Sequence, residues 1–144
     1  TYKPSNLRSM ILDSLTSTVD RYCVSCNQNK SHKESNHFIQ TSNYLAIVLK
    51  RYHRTNVWLV KNVTPIHIDT ELSELFGSYR LLGDTDHHGD SLNSGHYTST
   101  LHVNGAFYNC NDRKITLLEN ICDSGSAYIV FYSNTWCIWY CGIV

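Results

Sequence analysis

Asn104-Gly105, set between the runs His96-Tyr97-Thr98-Ser99-Thr100-Leu101-His102-Val103 and Ala106-Phe107-Tyr108-Asn109-Cys110, constrains this chain more than any other feature. Two residues that both tolerate positive φ, flanked by β-branched and aromatic segments, call for a tight β-hairpin. That hairpin has a chemical consequence. His96 opens the first strand directly after Gly95, and the second strand closes on Asn111-Asp112, so the Asn111 amide or the Asp112 carboxylate can reach the His96 ring. An imidazole becomes a directed base when its second nitrogen is held in one tautomer and orientation. By spacing alone, the same residues also suit a satisfied strand histidine next to ordinary turn chemistry.

The remaining segments predict the sheet around the hairpin. Ser5 stands where a helix cap belongs, and Leu7, Met10, Ile11 and Leu15 recur at helical steps, which predicts a helix over about 6–16 with one apolar face on the body. His37–Gln40 and Tyr44–Leu49 read as a strand pair around a turn at 41–43, and the continuous apolarity of the second predicts a central strand buried on both faces. Lys50-Arg51-Tyr52-His53-Arg54 reads as its solvated end. Val57–Lys61 and Thr64–Asp69 predict short strands, with Pro65 confining the second to an edge or a strand start. Ser78–Gly83 predicts a strand leading into a polar loop over 84–93, which precedes His96 and reads as a substrate gate. Asp84, Asp86, His87, His88 and Asp90 crowd that segment, but adjacent flexible ligands do not close a defined metal geometry. Past the hairpin come a strand at 115–118, a turn or brief helix at 119–123, a last strand at 126–132, and an apolar tail over 134–144 with no assigned role.

Twelve basic residues balance twelve acidic ones, so no positive field is present to draw in phosphate backbones or an anionic membrane surface; neither nucleic acid nor membrane is an expected partner. The first residues have no signal-peptide character and no apolar run is long enough to span a bilayer, which reads as intracellular, cytoplasm or nucleus. A first residue other than methionine points to sequence upstream. Cys23-Val24-Ser25-Cys26 offers two thiolates to one zinc, yet a structural zinc takes four ligands; His32 and His37 are the nearest local supplements, at a spacing unlike common zinc modules.

Three stretches in order carry a family resemblance: Cys23-x-x-Cys26, then Tyr44-Leu45-Ala46-Ile47-Val48-Leu49-Lys50-Arg51-Tyr52, then Ser94-Gly95-His96-Tyr97-Thr98-Ser99 with Phe107–Ile115 and Ser126–Tyr132. Together they resemble the ubiquitin-specific proteases, cysteine-type deubiquitinases, over about residues 5–133. Asp86-His87-x-Gly89 is similar to the family's asparagine-histidine-x-glycine, with Asp for Asn. The resemblance implies an α+β fold of the papain-like cysteine protease superfamily, with a mostly antiparallel palm sheet, part of the fingers, and the thumb missing. It implies one partial catalytic domain at 1–133. It makes His96 the general base and Asn111 the orienting group, with Asp112 as second candidate, and places Gly95 and Tyr97 along the channel for a ubiquitin tail. Ubiquitin or ubiquitinated proteins are the implied partners. No cofactor is implied for catalysis. Cys23 and Cys26 would be half of a structural zinc site whose other cysteine pair lies upstream.

The family's nucleophile sits in an N-terminal cysteine box that this sequence does not contain, and none of the six cysteines takes its place. The chain therefore reads as the C-terminal part of a deubiquitinase whose nucleophile is encoded upstream. The alternatives are a non-catalytic ubiquitin-binding scaffold on the same fold, or another thiol hydrolase with the same residue order. Without the thumb, apolar sheet surface is expected to stand exposed and the isolated chain to be poorly soluble or molten.

Overall fold

A computed structural model describes residues 5–73, 77–120 and 123–135. Residues 121–122 of the turn-or-helix expectation, with Cys122, and 136–144 of the apolar tail, with Cys137 and Cys141, lie outside the described residues.

Strand β1 (Ser5–Asn6) leads into helix α1 (Leu7–Ser14), whose cap is Asn6 rather than Ser5: the Asn6 Oδ1 accepts from the Ser9 amide at 2.7 Å. Leu7 is buried and Ile11 packs against the core, while Met10 and Leu12 remain exposed, so the helix holds the body by a narrower stripe than its spacing suggests. Strands β2 (Thr16–Cys23) and β3 (Gln28–Ser35) form a nearly fully exposed hairpin. Strands β5 (Tyr52–Arg54) and β6 (Leu59–Lys61) form another. Pro65 immediately precedes β7 (Ile66–His67), which pairs in parallel with β1, a shorter strand than the six residues anticipated.

The remaining strands are β4 (Tyr44–Val48), β8 (Glu71–Leu72), β9 (Tyr79–Ser91), β10 (Ser94–Val103), β11 (Ala106–Asn111), β12 (Lys114–Leu118) and β13 (Ala127–Asn134). They build one seven-stranded sheet in the order β12-β11-β10-β9-β13-β4, with β8 on the other part of β9. The pairings in this sheet are antiparallel throughout. Asn104 and Gly105, at φ 51° and 80°, make the two-residue turn between β10 and β11 that their sequence calls for.

Four expectations are corrected. No strand forms over 37–40, and β4 is an edge strand of the described sheet, paired with β13 alone. Its Leu45 and Ile47 turn toward the core while Tyr44, Ala46 and Val48 face outward, so its apolarity reflects two apolar faces of which one is packed. The segment over 84–93 is not a gate loop: β9 runs through Ser91, paired with β13 as far as Asp86 and with β10 to its end, and only Leu92-Asn93 turn. Arg51 is not a solvated strand end. It is 5% exposed, and its guanidinium donates to the carbonyls of Ala127 (2.9 Å), Thr64 (2.6 Å), Ser124 (2.9 Å) and, at 3.5 Å, Asn62. Burial lowers its pKa, opposed by the charge of Asp86.

Leu7, Ile66, Ile68 and Leu72 pack with Tyr79, Leu81, Val130 and Tyr132 to form the core on one side of the sheet. The Tyr132 hydroxyl donates to the Asp69 carbonyl at 2.7 Å, and its burial raises the phenol's pKa, so it stays a donor.

Candidate functional site

The alternation of β10 and β11 determines which side chains meet at their ends. Ser99 lies opposite Cys110 and Thr100 opposite Asn109, so Asn111 shares its face with Thr98, Thr100 and, at the start of the strand, His96. The result is a hydrogen bond of 2.7 Å between His96 Nε2 and Asn111 Oδ1. The amide oxygen accepts, so Nε2 carries the proton and Nδ1 is left with its lone pair free: one tautomer, with a basic nitrogen turned away from its holder. Both residues are exposed, so a reacting group can approach. Asp112, the second candidate, instead takes the left-handed position (φ 51°) in the Asp112-Arg113 turn that starts β12.

A second imidazole lies beside the first. His88 stands opposite His96 across β9 and β10, their rings stacked with centroids 6.5 Å apart, and His88 Nε2 bonds Thr98 Oγ1 at 2.8 Å. Further along the same face, the Asp86 carboxylate accepts from Ser124 Oγ (3.1 Å) and Ser126 Oγ (2.8 Å). Asp84 accepts from the Thr100 amide at 3.2 Å. Burial, then the charge of Asp86, push the Asp84 carboxyl up to about 6. These partners explain how a segment rich in Asp and His can be a buried strand.

Gly95 has a reason of its own. A Cβ there would lie 2.4 Å from His87 Nε2 and 2.7 Å from the His88 carbonyl oxygen, so the protein's own atoms fill the space beside it. Tyr97, half exposed, sits against His87 with ring centroids 4.7 Å apart.

None of the described cysteines faces the base. Cys110 alternates with Asn111 and so points to the opposite side of β11, while Cys23 and Cys26 belong to the separate β2–β3 hairpin. Hydrogen bonds from Cys26, backbone first and then thiol, together with those from Ser25, hold the Cys23 thiol below its ordinary value. That chemistry suits a metal, but two ligands are half of a zinc set. His32 pairs with Val19, four rungs from Cys23, and His37 lies beyond the end of β3, so neither completes it. Among the described residues no group of three or more His, Cys, Asp or Glu side chains could hold a metal ion.

The sequence places His96 and Asn111 within reach of each other, as the structure does, but reads His87 as part of a polar gate loop and Tyr52 as part of a solvated strand end, and gives Lys61 no role. An arginine close behind an apolar run is the local hint for Arg51, whereas Lys61 carries no local signal.

Comparison with known proteins bears on this geometry. Residues 5–132 match the family model described as ubiquitin carboxyl-terminal hydrolase. None of the curated proteins matches the chain. Among solved structures, the SAGA Ubp8/Sgf11/Sus1/Sgf73 DUB module bound to ubiquitin aldehyde is similar with a TM-score of 0.69 and 22% identity, covering 92% of this chain and 34% of that one. A SAGA DUB module with the Sgf11 zinc finger deleted gives 0.68 and 22%, covering 90% and 33%. A yeast SAGA DUB module with mutated Sgf73 gives 0.64 and 24%, covering 90% and 32%. At such identities the likeness is one of fold, and the chain spans about a third of the length of those chains. The papain-like α+β architecture implied by the sequence motifs is the architecture found. No helix among the described residues is long and apolar enough to cross a membrane.

Proposed function

The chain belongs to the ubiquitin carboxyl-terminal hydrolase family, and from that premise we propose that it supplies the general base and its orienting amide to a thiol hydrolase acting at the ubiquitin C-terminus. The observation that carries this is the 2.7 Å contact from His96 Nε2 to Asn111 Oδ1, which leaves Nδ1 as the proton acceptor. In this mechanism Nδ1 takes the proton of a cysteine thiol encoded upstream of Thr1. The thiolate attacks the carbonyl carbon of the ubiquitin C-terminal glycine, and the carbonyl π electrons move onto oxygen. As the tetrahedral adduct collapses, His96 returns the proton to the departing amine and an acyl-enzyme thioester remains. Water, losing a proton to the same nitrogen, attacks the thioester, and collapse of that adduct releases ubiquitin with a free carboxylate and the thiol. Asn111 holds the imidazole throughout and is close enough to stabilise the imidazolium. Asp112, in the turn, is the weaker candidate for that role.

Tyr97 and the Gly95 backbone are proposed to border the channel for the ubiquitin tail. The Cys23–Cys26 pair is proposed as half of a structural zinc site completed from outside this sequence. Ubiquitin conjugates are the proposed substrates.

The experiment is steady-state hydrolysis of a ubiquitin C-terminal fluorogenic amide by the full-length protein. His96→Ala is expected to lower kcat about 10³-fold or more, and Asn111→Ala about 10- to 100-fold, with KM little changed. The second reading, a non-catalytic ubiquitin-binding scaffold, draws support from the absence of a thiol facing His96 among the described residues. It predicts ubiquitin binding with no hydrolysis that depends on His96. Hydrolysis indifferent to His96→Ala would overturn the catalytic reading.

A further inference from the structure

His96 and Asn111 are both exposed, so packing around the pair does not lock it, yet a base must be held to within a fraction of an ångström to be useful. Its rigidity has to come from the backbone that carries it. The opposite face of that backbone bears a buried polar assembly. His87 lies opposite Tyr97, one rung from the His88–His96 pair, and alternation sends its side chain to the face away from His96. It is 3% exposed. Its Nε2 fills the place where a side chain of Gly95, the residue just before the base, would stand.

The far side of the ring is tied down. The Tyr52 hydroxyl lies 2.9 Å from His87 Nδ1. The Lys61 ammonium, 3.4 Å from the same nitrogen, donates to the carbonyls of His87 (2.6 Å) and Gly89 (2.8 Å). An ammonium has no lone pair to offer, so Nδ1 is an acceptor and the ring is neutral with its proton on Nε2. Burial, followed by the charges of Lys61 and His88, lowers the imidazole pKa in agreement with that state. The β5–β6 hairpin thus reaches β9 through two side chains, and β9 reaches the Gly95 backbone through one ring.

We propose that His87 is a positioning residue for His96, braced by Tyr52 and Lys61 so that its ring sets the height of the Gly95–His96 backbone and with it the His96–Asn111 contact. This rests on the reading of His96 as the general base, and the test separates the two ideas.

The experiment uses the full-length protein labelled with ¹⁵N-histidine. Long-range ¹H–¹⁵N spectra report the tautomer of His96, and hydrolysis of the fluorogenic ubiquitin amide reports kcat and KM. Tyr52→Phe removes one oxygen and His87→Phe keeps a ring while losing the acceptor. Both are expected to turn a single Nε2–H tautomer of His96 into a mixture and to lower kcat about three- to tenfold with KM unchanged. His87→Asn, which returns an acceptor to Tyr52, is expected to recover part of kcat. A His96 tautomer and a kcat unaltered in both Phe variants, with only the thermal midpoint lowered, would reduce His87 to a structural residue and overturn the proposal. Should His96→Ala leave hydrolysis intact, the catalytic reading fails by itself, and the His96 spectra still decide whether His87 positions that ring.

Discussion

On one face of the seven-stranded sheet, Tyr79 and Leu81 of β9 and Val130 and Tyr132 of β13 pack with Leu7, Ile68 and Leu72; on the other, Ile115 and Leu117 of β12, Leu101 of β10 and Val48 of β4 stand in solvent. The registers show how continuous the second face is. Ala46, Phe131, Gly83, Leu101, Tyr108 and Leu117 form one row across all six strands of the main order, and Val48, Ile129, Thr85, Ser99, Cys110 and Ile115 form the next. Both faces are apolar in sequence, but among the described residues the second is covered only at its His87 end, by the β5–β6 hairpin, while these rows are left open. The lesson is that hydrophobicity reports which surfaces want cover, whereas the supply of cover depends on chain that need not be present. These two rows lie on the face away from His96 and Asn111, so they are not the surface that a segment bringing a thiol to His96 would cover.

The comparison can be broken most forcefully on the covered side. Arg51→Met would leave the carbonyls of Ala127, Thr64 and Ser124 without their buried donor, and is expected to cost about 3–5 kcal/mol. Arg51→Lys should recover only a minor part, since an ammonium lacks the planar fork that reaches several carbonyls at once. Truncating Leu72, fully buried, to Ala should cost about 2–5 kcal/mol. The same truncation at Leu117, 62% exposed, should stay within about 0.5 kcal/mol. Urea unfolding followed by tryptophan fluorescence measures all four, and equal costs at Leu72 and Leu117 would show that the two faces are energetically alike.

A smaller effect comes from the polar end of the covered face. Asp84 has its pKa raised from 3.8 to about 6, first by burial and then by Asp86. The folded protein therefore binds this proton more tightly than the unfolded chain. The associated stability is present below about pH 4 and is lost as the pH rises through about 6. The shift corresponds to something on the order of 2–3 kcal/mol. Asp84→Asn keeps an oxygen for the Thr100 amide and removes the titration, so it should stabilise the protein at pH 7.5 and flatten its profile between pH 4 and 6. A profile over that interval with the same slope in wild type and variant would assign the titration elsewhere.

What could be read from the sequence follows the distance over which each feature is encoded. The Asn104-Gly105 turn, the two strands beside it and the His96–Asn111 pair lie within a short segment, and local chemistry sufficed. The position of β4 could not be read, because a run of apolar residues does not say which of its faces will find a partner. The strand nature of β9 was hidden for another reason. Asp84, Asp86 and His87 look like loop residues until Thr100, Ser124, Ser126 and Tyr52 are known to satisfy them, and those partners sit up to 40 residues away. Arg51 looked solvated by the same logic, its Ala127 partner being 76 residues distant. Polar residues are assigned to solvent by default, and only tertiary structure reveals the exceptions.

The smallest expected change sharpens the comparison most, because it separates a bare face from a temporarily bare one. Ile115 and Leu117 lie on the edge strand β12 of the described sheet, 68% and 62% exposed, where lysine is compatible with both strand geometry and solvent. In the 144-residue chain, Ile115→Lys with Leu117→Lys should leave unfolding free energy within about 0.5 kcal/mol, since nothing packed is lost. The same pair should reduce binding of a hydrophobic dye severalfold and raise solubility. Dye binding that ignores the two lysines would mean that the exposed apolar surface lies elsewhere. In the full-length protein the double substitution should behave differently if this face receives the rest of the domain: two lysines buried against apolar neighbours would be destabilising by several kcal/mol, and hydrolysis would fall with the fold rather than with the chemistry of His96. Indifference in both contexts would instead mark the face as one that stays in water.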